Sequence, residues 1–180
     1  MGGMTEVRTA HTADLDDATI KAARALLWEV FDDMTEDDWE HCLGGIHALA
    51  WDGGVLIGHG AVVQRRLLHA GRALRTGYIE GVGVRVDYRR RGVGAMLMAE
   101  LERVVRGAYE LGALGASEDG MAFYAARGWQ PWQGPTSILT LTGFERTADE
   151  DGYIFVLPVT APLDLTADLA TCDWRDGEVW

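Results

Sequence analysis

GYIEGVGVRVDYRRRGVGAMLMAELERVV, residues 77–105, decides the fold. Its first half, Tyr78 to Val86, is rich in β-branched residues and glycine, the composition of a buried strand. From about Gly92, residues Ala95, Leu97, Met98, Leu101, Val104 and Val105 recur at helical spacing, with Glu100, Glu102, Arg103 and Arg106 mostly opposite. Between strand and helix lies Arg89-Arg90-Arg91-Gly92-Val93-Gly94, a tight turn of arginine and glycine. Such a turn aims several backbone N–H groups of the helix start at one spot. The positive end of the helix dipole falls there too, which favours a phosphate or pyrophosphate. Glycines let the backbone approach the ligand, and the arginines add charge. Three arginines in a loop are otherwise simply solvated.

Two common phosphate loops do not fit. There is no Gly-Lys-Ser/Thr, the sole lysine being Lys21, and no Gly-x-Gly-x-x-Gly followed by an acidic residue at dinucleotide spacing. The pattern Val82-x-Val84-x-x-x-x-Arg89-x-x-Gly92-x-Gly94 instead resembles the acetyl-CoA loop of the GNAT superfamily of N-acetyltransferases. Two positions depart from it: Val86 stands where many such sequences have proline, and Arg90 where glycine is common. Neither removes an N–H donor. Arg89, Arg90, Arg91, Gly92, Val93, Gly94 and Ala95 are therefore the expected cofactor-binding set.

The chain has 180 residues, enough for one domain with a substantial core. No apolar run approaches the roughly 20 residues of a membrane span. Met1 to Asp17 is polar and lacks the apolar centre of a signal peptide, so a cytoplasmic location is expected. Cys42 and Cys172 are too few and too isolated for a disulfide framework or a zinc site. The histidines lack ligand spacing, so no metal is expected. A net charge of −12 argues against nucleic acid or an anionic membrane as partner. Acidity also confers solubility, and only clustering of the carboxylates favours a cationic substrate.

Read in order, residues 1–5 form a loose end and Glu6 to Thr9 a short strand. Asp14 or Asp16 caps a helix running to about Phe31, and Thr35 to Asp38 forms a capping box opening a second helix that ends near Gly44-Gly45. His47 to Trp51 and Val55 to Leu68 are strands around the Asp52-Gly53-Gly54 turn. His69 to Arg72 turns into the central strand. After the long helix come a short buried strand, Gly112 to Ser117, and a short helix, Gly120 to Arg127. Pro135 to Leu141 and Tyr153 to Thr160 complete the sheet as a pair separated by a polar loop. The order β-αα-βββ-α-β-α-ββ is that of a GNAT fold: α+β, a mixed and mainly antiparallel sheet flanked by helices. The whole chain, 1–180, reads as a single domain, with an acidic tail over 161–180 contributing to the acceptor site.

A narrower resemblance follows. Asp38-Trp39-Glu40-His41-x-Leu43-Gly44-Gly45-x-His47-Ala48-Leu49 and Gly77-Tyr78-x-Glu80-Gly81-Val82-x-Val84-Arg85 are similar to blocks of the aminoglycoside 2′-N-acetyltransferases. So are Arg127-Gly128-Trp129-x-Pro131-Trp132-x-Gly134-Pro135-Thr136-Ser137 and the terminal Cys172-Asp173-Trp174-Arg175-x-Gly177-x-Val179-Trp180. The resemblance implies acetyl-CoA as donor, the 2′-amine of a polycationic aminoglycoside as acceptor, and a homodimer.

Acetyl transfer to an amine needs a base for the ammonium, polarisation of the thioester carbonyl and an acid for the departing thiolate. Glu80, on the central strand, is the candidate base; its alternative is a pair with Arg75 or Arg85. In the resembled family the matching glutamate acts through ordered water. Backbone N–H groups from Val82, Gly83 and Val84 can polarise the carbonyl if the strand bulges at Gly81 or Gly83. Tyr124 is either a core tyrosine or, matching the general acid of the superfamily, the thiolate's proton donor. Binding a polycation needs carboxylates from several segments. The resemblance selects Asp33, Asp38, Glu150, Glu178 and the terminal carboxylate of Trp180, beside Glu80 itself, although helix capping competes for Asp38. Among the other tryptophans, Trp39 is the one expected to line the cleft. Competing readings are an acetyltransferase for another cationic amine, a peptide acetyltransferase, and a non-catalytic acyl-CoA or drug sensor.

Overall fold

The computed structural model describes residues 4–180. The loose start expected over residues 1–5 lies outside these except for Met4, which is exposed, and Thr5. The elements run β1 (Glu6–His11), α1 (Asp17–Val30), α2 (Glu36–His41), β2 (Ile46–Asp52), β3 (Val55–His69), β4 (Arg72–Val84), α3 (Val93–Ala108), β5 (Leu111–Gly115), α4 (Met121–Ala126), β6 (Gln130–Pro131), β7 (Thr136–Thr140), β8 (Gly143–Arg146), β9 (Ile154–Pro158) and β10 (Leu169–Thr171). The chain divides into two compact units: up to Val63 with Ile79–Val104, and Gln64–Tyr78 with Val105–Trp180.

In the first unit, the Asp16 carboxylate accepts from Thr19 N–H at 2.7 Å and starts α1. The capping box of Thr35 and Asp38 starts α2. Ala23, Leu26 and Leu27 of α1 bury against Trp39, Cys42, Leu49, Leu56 and Ala61. Strands β1, β2 and β3 form an antiparallel meander. Close packing of α3 is written into two glycines of β3. A Cβ on Gly58 would lie 2.9 Å from Leu97 Cδ1, and one on Gly60 2.7 Å from Leu101 Cδ1. Larger residues there would force the tips of those leucines to move.

In the second unit the strand order is β6-β9-β5-β4-β3-β10-β7-β8. The β4–β5 and β7–β10 pairs are parallel, and β5–β9, β6–β9, β3–β10 and β7–β8 are antiparallel. Trp129 and Trp132 are fully buried, Trp132 donating its indole N–H to Ala167 O at 2.9 Å. The fold class expected from the sequence holds: α+β, mixed and mainly antiparallel.

Four expectations are corrected. The central strand starts earlier and stops at Val84, because Val86–Tyr88 turns into a short 3-10 helix. Residues 136–140 and 154–158 are not partners: β7 lies between β8 and β10, and β9 between β5 and β6. The polar loop between them contains β8, and the acidic tail contains β10, which inserts between β3 and β7. Trp39 lines no cleft; it is 5% exposed within the apolar cluster of α1 and β2. Its neighbours in α2 are so acidic that the one large apolar side chain takes the buried face.

Candidate active site

The first unit carries the anion-binding turn. Past Val84, Arg89 folds back and its Nε donates to Val84 O at 3.0 Å, closing the turn. The Arg91 guanidinium lies over the Tyr88 ring, 5.3 Å from its centroid. Met96 N–H bonds Gly92 O at 3.0 Å, so Gly92 caps α3. The N–H groups of Val93, Gly94 and Ala95 then have no acceptor within the helix. Nothing lies within 4 Å of where a Gly92 Cβ would stand, and Arg89, Arg90 and Arg91 are exposed. These donors, the dipole and the open approach fit a pyrophosphate. Arg90 keeps φ at +59° without the glycine common there, a left-handed conformation that costs a side chain about 1–2 kcal/mol.

Glu80 is half-buried on β4. Of the two cations offered as its structural partners, Arg85 bonds Glu29 through Nε at 3.1 Å and Arg75 bonds Ala108 O through Nε at 2.8 Å. The backbone departs from strand geometry at Gly81, where φ is +56°, while Gly83 keeps a negative φ. A Cβ on Gly81 would lie 2.6 Å from Cys42 Sγ, which excludes any larger residue. Val82 and Val84 are half-buried beside it.

The acidic residues of this unit stand at the start of α2. Asp33 is exposed in the preceding turn, and Asp38 is half-buried. Both capping bonds to Asp38, from Thr35 N–H at 2.9 Å and Thr35 Oγ1 at 2.7 Å, fall on Oδ2. Capping is therefore compatible with an ammonium group at Oδ1.

The second unit carries Tyr124, on α4. Its ring meets Phe123 edge-on with centroids 5.3 Å apart and Trp129 at 6.4 Å, and Gly120 leaves room for its Cε2. Burial pushes the phenol up to about 12, so it keeps its proton at neutral pH and stands as a hydroxyl donor. Glu150 and Glu178 are close enough to interact. Burial first, then the charges of Glu178 and Asp149, raise the Glu150 carboxyl above its ordinary range. Trp180 is 5% exposed, and its indole Nε1 donates to Thr147 Oγ1 at 2.9 Å. Trp180 C lies 3.8 Å from where a Gly115 Cβ would be, placing the Trp180 backbone beside β5.

Several residues that shape this region had not been singled out. Arg65, 3% exposed, reaches Asp173 at 3.0 Å, Thr171 Oγ1 at 2.8 Å and Val179 O at 2.7 Å, and stacks on Tyr78. It is the anchor of the C-terminal segment. Its signal was the alternation along β3, since Arg65 shares a face with buried Leu67 and His69 while Arg66 is exposed. His47 and His59 form a buried pair with Nδ1 and Nε2 2.9 Å apart. Among the described residues no group of three or more His, Cys, Asp or Glu is arranged to hold a metal ion, and no helix is long and apolar enough to cross a membrane.

Comparison with known proteins places this geometry. The family model described as "Acetyltransferase (GNAT) domain" matches residues 6–132. An aminoglycoside 2′-N-acetyltransferase of Mycolicibacterium fortuitum is 51% identical over 99% of this chain and 94% of its own length. Among solved structures, the GNAT family N-acetyltransferase YhbS of Escherichia coli in complex with CoA superposes with a TM-score of 0.65, at 16% identity, over 94% of this chain and 91% of that one. Eis1 of Mycobacterium abscessus gives 0.62 at 20% identity over 74% of this chain, which spans 33% of that one. The structural likenesses carry the fold alone, whereas the full-length identity carries more: the chain belongs to the aminoglycoside 2′-N-acetyltransferase family of the GNAT superfamily.

Proposed function

We propose that this protein transfers the acetyl group of acetyl-CoA to the 2′-amine of aminoglycoside antibiotics, and so confers resistance to them. The observation that carries the reading is the 51% identity to an aminoglycoside 2′-N-acetyltransferase over 99% of the chain, acidic C-terminal segment included. As a member of this superfamily the protein uses acetyl-CoA as its acyl donor.

Each step has a residue suited to it. The turn from Arg89 to Ala95 holds the pyrophosphate. Glu80, half-buried, takes a proton from the substrate ammonium through water. N–H groups of Val82, Gly83 and Val84 polarise the thioester oxygen, where charge develops as the amine attacks. Tyr124, a phenol at neutral pH, protonates the departing thiolate. Transfer is direct, because Cys42 is fully buried, and burial and then Asp173 raise the Cys172 thiol. Asp33, Asp38, Glu150, Glu178 and the Trp180 carboxylate take the other ammonium groups of the drug. The protein acts in the cytoplasm as a homodimer, without nucleic acid or membrane as partner.

The deciding assay is thiol release from acetyl-CoA with aminoglycosides bearing a 2′-amine, a 2′-hydroxyl or neither. Preference for the first class is expected. Equal rates with all three would move the acceptor away from the 2′ position, and no release with any would end the proposal.

A further inference from the structure

Inside the first unit a row of hydrogen bonds runs from the chain start to the strand that carries Glu80. Gly44 N–H donates to Thr12 Oγ1 at 2.9 Å, and Thr12 Oγ1 meets His47 Nε2 at 2.7 Å. His47 Nδ1 meets His59 Nε2 at 2.9 Å, and His59 Nδ1 meets Gly81 O at 2.8 Å. Both imidazoles are fully buried. The last acceptor fixes every proton. A carbonyl can only accept, so His59 carries its proton on Nδ1, and its neutral Nε2 accepts from His47 Nδ1–H. His47 Nε2 must then accept, and the Thr12 hydroxyl donates to it. All donors point one way, towards Gly81.

Gly81 O does not stand alone. It shares a peptide plane with the N–H of Val82, and no cis peptide bond occurs among the described residues, so the two groups are antiparallel. Holding that oxygen inward aims the Val82 N–H the other way, and it does so at the position where the positive φ of Gly81 frees the backbone from the strand. We propose that His59, braced by His47 and Thr12, is a positioning residue that sets the direction of the Val82 N–H, the group proposed above to polarise the thioester carbonyl. The inference rests on that reading of the reaction. A second proton on His59 would set its Nε2–H face to face with the His47 Nδ1–H and break the row.

His59→Leu removes the donor, whereas His59→Asn keeps an amide N–H near the place of Nδ1. His59→Leu is expected to lower kcat for aminoglycoside acetylation at least tenfold, a part of the roughly 10²–10³-fold carried by a whole oxyanion donor. The calorimetric Kd for acetyl-CoA should stay within about threefold, because the pyrophosphate turn is untouched. His59→Asn should recover most of kcat. Wild-type kcat in a folded His59→Leu, or His59→Asn as slow as His59→Leu with acetyl-CoA affinity intact, overturns the proposal. Nitrogen NMR of the wild-type imidazoles needs neither a variant nor an acceptor: both rings should be Nδ1–H tautomers, and an Nε2–H on His59 rules the row out. A wild type inert towards aminoglycosides but with these tautomers would sink the acceptor assignment alone.

Discussion

The indole N–H of Trp180, the last residue, donates to Thr147 Oγ1 at 2.9 Å, and that hydroxyl donates onward to Thr136 Oγ1 at 2.8 Å. Thr136 Oγ1 in turn donates to Asp151 Oδ1 at 2.9 Å, while Arg146 clamps Asp151 Oδ2 at 2.7 Å. The Arg146 charge and these donors hold the Asp151 carboxyl down to about 2. The chain terminus and the loop bearing Glu150 thus share one polar frame. Thr147→Val keeps the shape and removes the hydroxyl. That hydroxyl makes two bonds, and loss of the one that holds Trp180, about 1 kcal/mol, corresponds to about a fivefold rise in the aminoglycoside KM. Neither kcat nor the acetyl-CoA KM should change in steady-state assays. Parallel rises in both Michaelis constants would mean that the frame supports the whole fold rather than the acceptor side.

Tyr124→Phe tests the proton donor. The ring contacts with Phe123 and Trp129 survive this change, so stability and the acetyl-CoA Kd should stay near wild type. Turnover at saturating substrates should fall at least about tenfold, within the range of general acid catalysis. Unchanged turnover would remove Tyr124 from the chemistry.

Arg90 sets two effects against each other. Arg90→Gly releases a left-handed residue worth about 1–2 kcal/mol but adds unfolded-state entropy worth about 0.5–1 kcal/mol. Relief should win narrowly, so the urea midpoint holds or rises. The acetyl-CoA KM should rise only a few-fold, because the helix N–H groups remain and one exposed charge is lost. A lower midpoint would show that the arginine side chain stabilises the turn.

What could be read from the chain beforehand follows from range. The capping box at Thr35, the Gly53-Gly54 turn and the strand–turn–helix around Arg89 are local, and residue chemistry fixes each. The inner partner of β7 depends on where a three-residue strand, Leu169–Thr171, inserts, and so short a segment carries no usable period. The histidine pair was hidden by a bulge. A regular hairpin from the Asp52↔Val55 pair would set His59 opposite Ala48, leaving His47 on the other face. The register shift between Ala50 and Trp51 sets it opposite Leu49 instead, which brings both imidazoles to one side.

That buried pair also sets how the fold responds to acid. Burial, with a further push from His11, holds His47 at about 4. Burial outweighs the Gly81 bond and holds His59 at about 4 as well, both down from an ordinary 6.5. Above pH 6.5 the two rings are neutral whether the chain is folded or not. Between 6.5 and about 4 the unfolded chain takes up protons that the folded chain refuses, so stability falls as the pH falls. Asp151, exposed and held at about 2, acts below its ordinary 3.8 and outside this window. Glu150, raised by burial and by Glu178, works in the opposite direction, so the histidine share is isolated by comparison with a variant. Urea midpoints should drop steadily from pH 6.5 to pH 4.5, and the drop should be about halved in His59→Asn, which has one fewer buried imidazole. A wild-type midpoint that stays level across that interval would show that the pair is already charged in the folded protein.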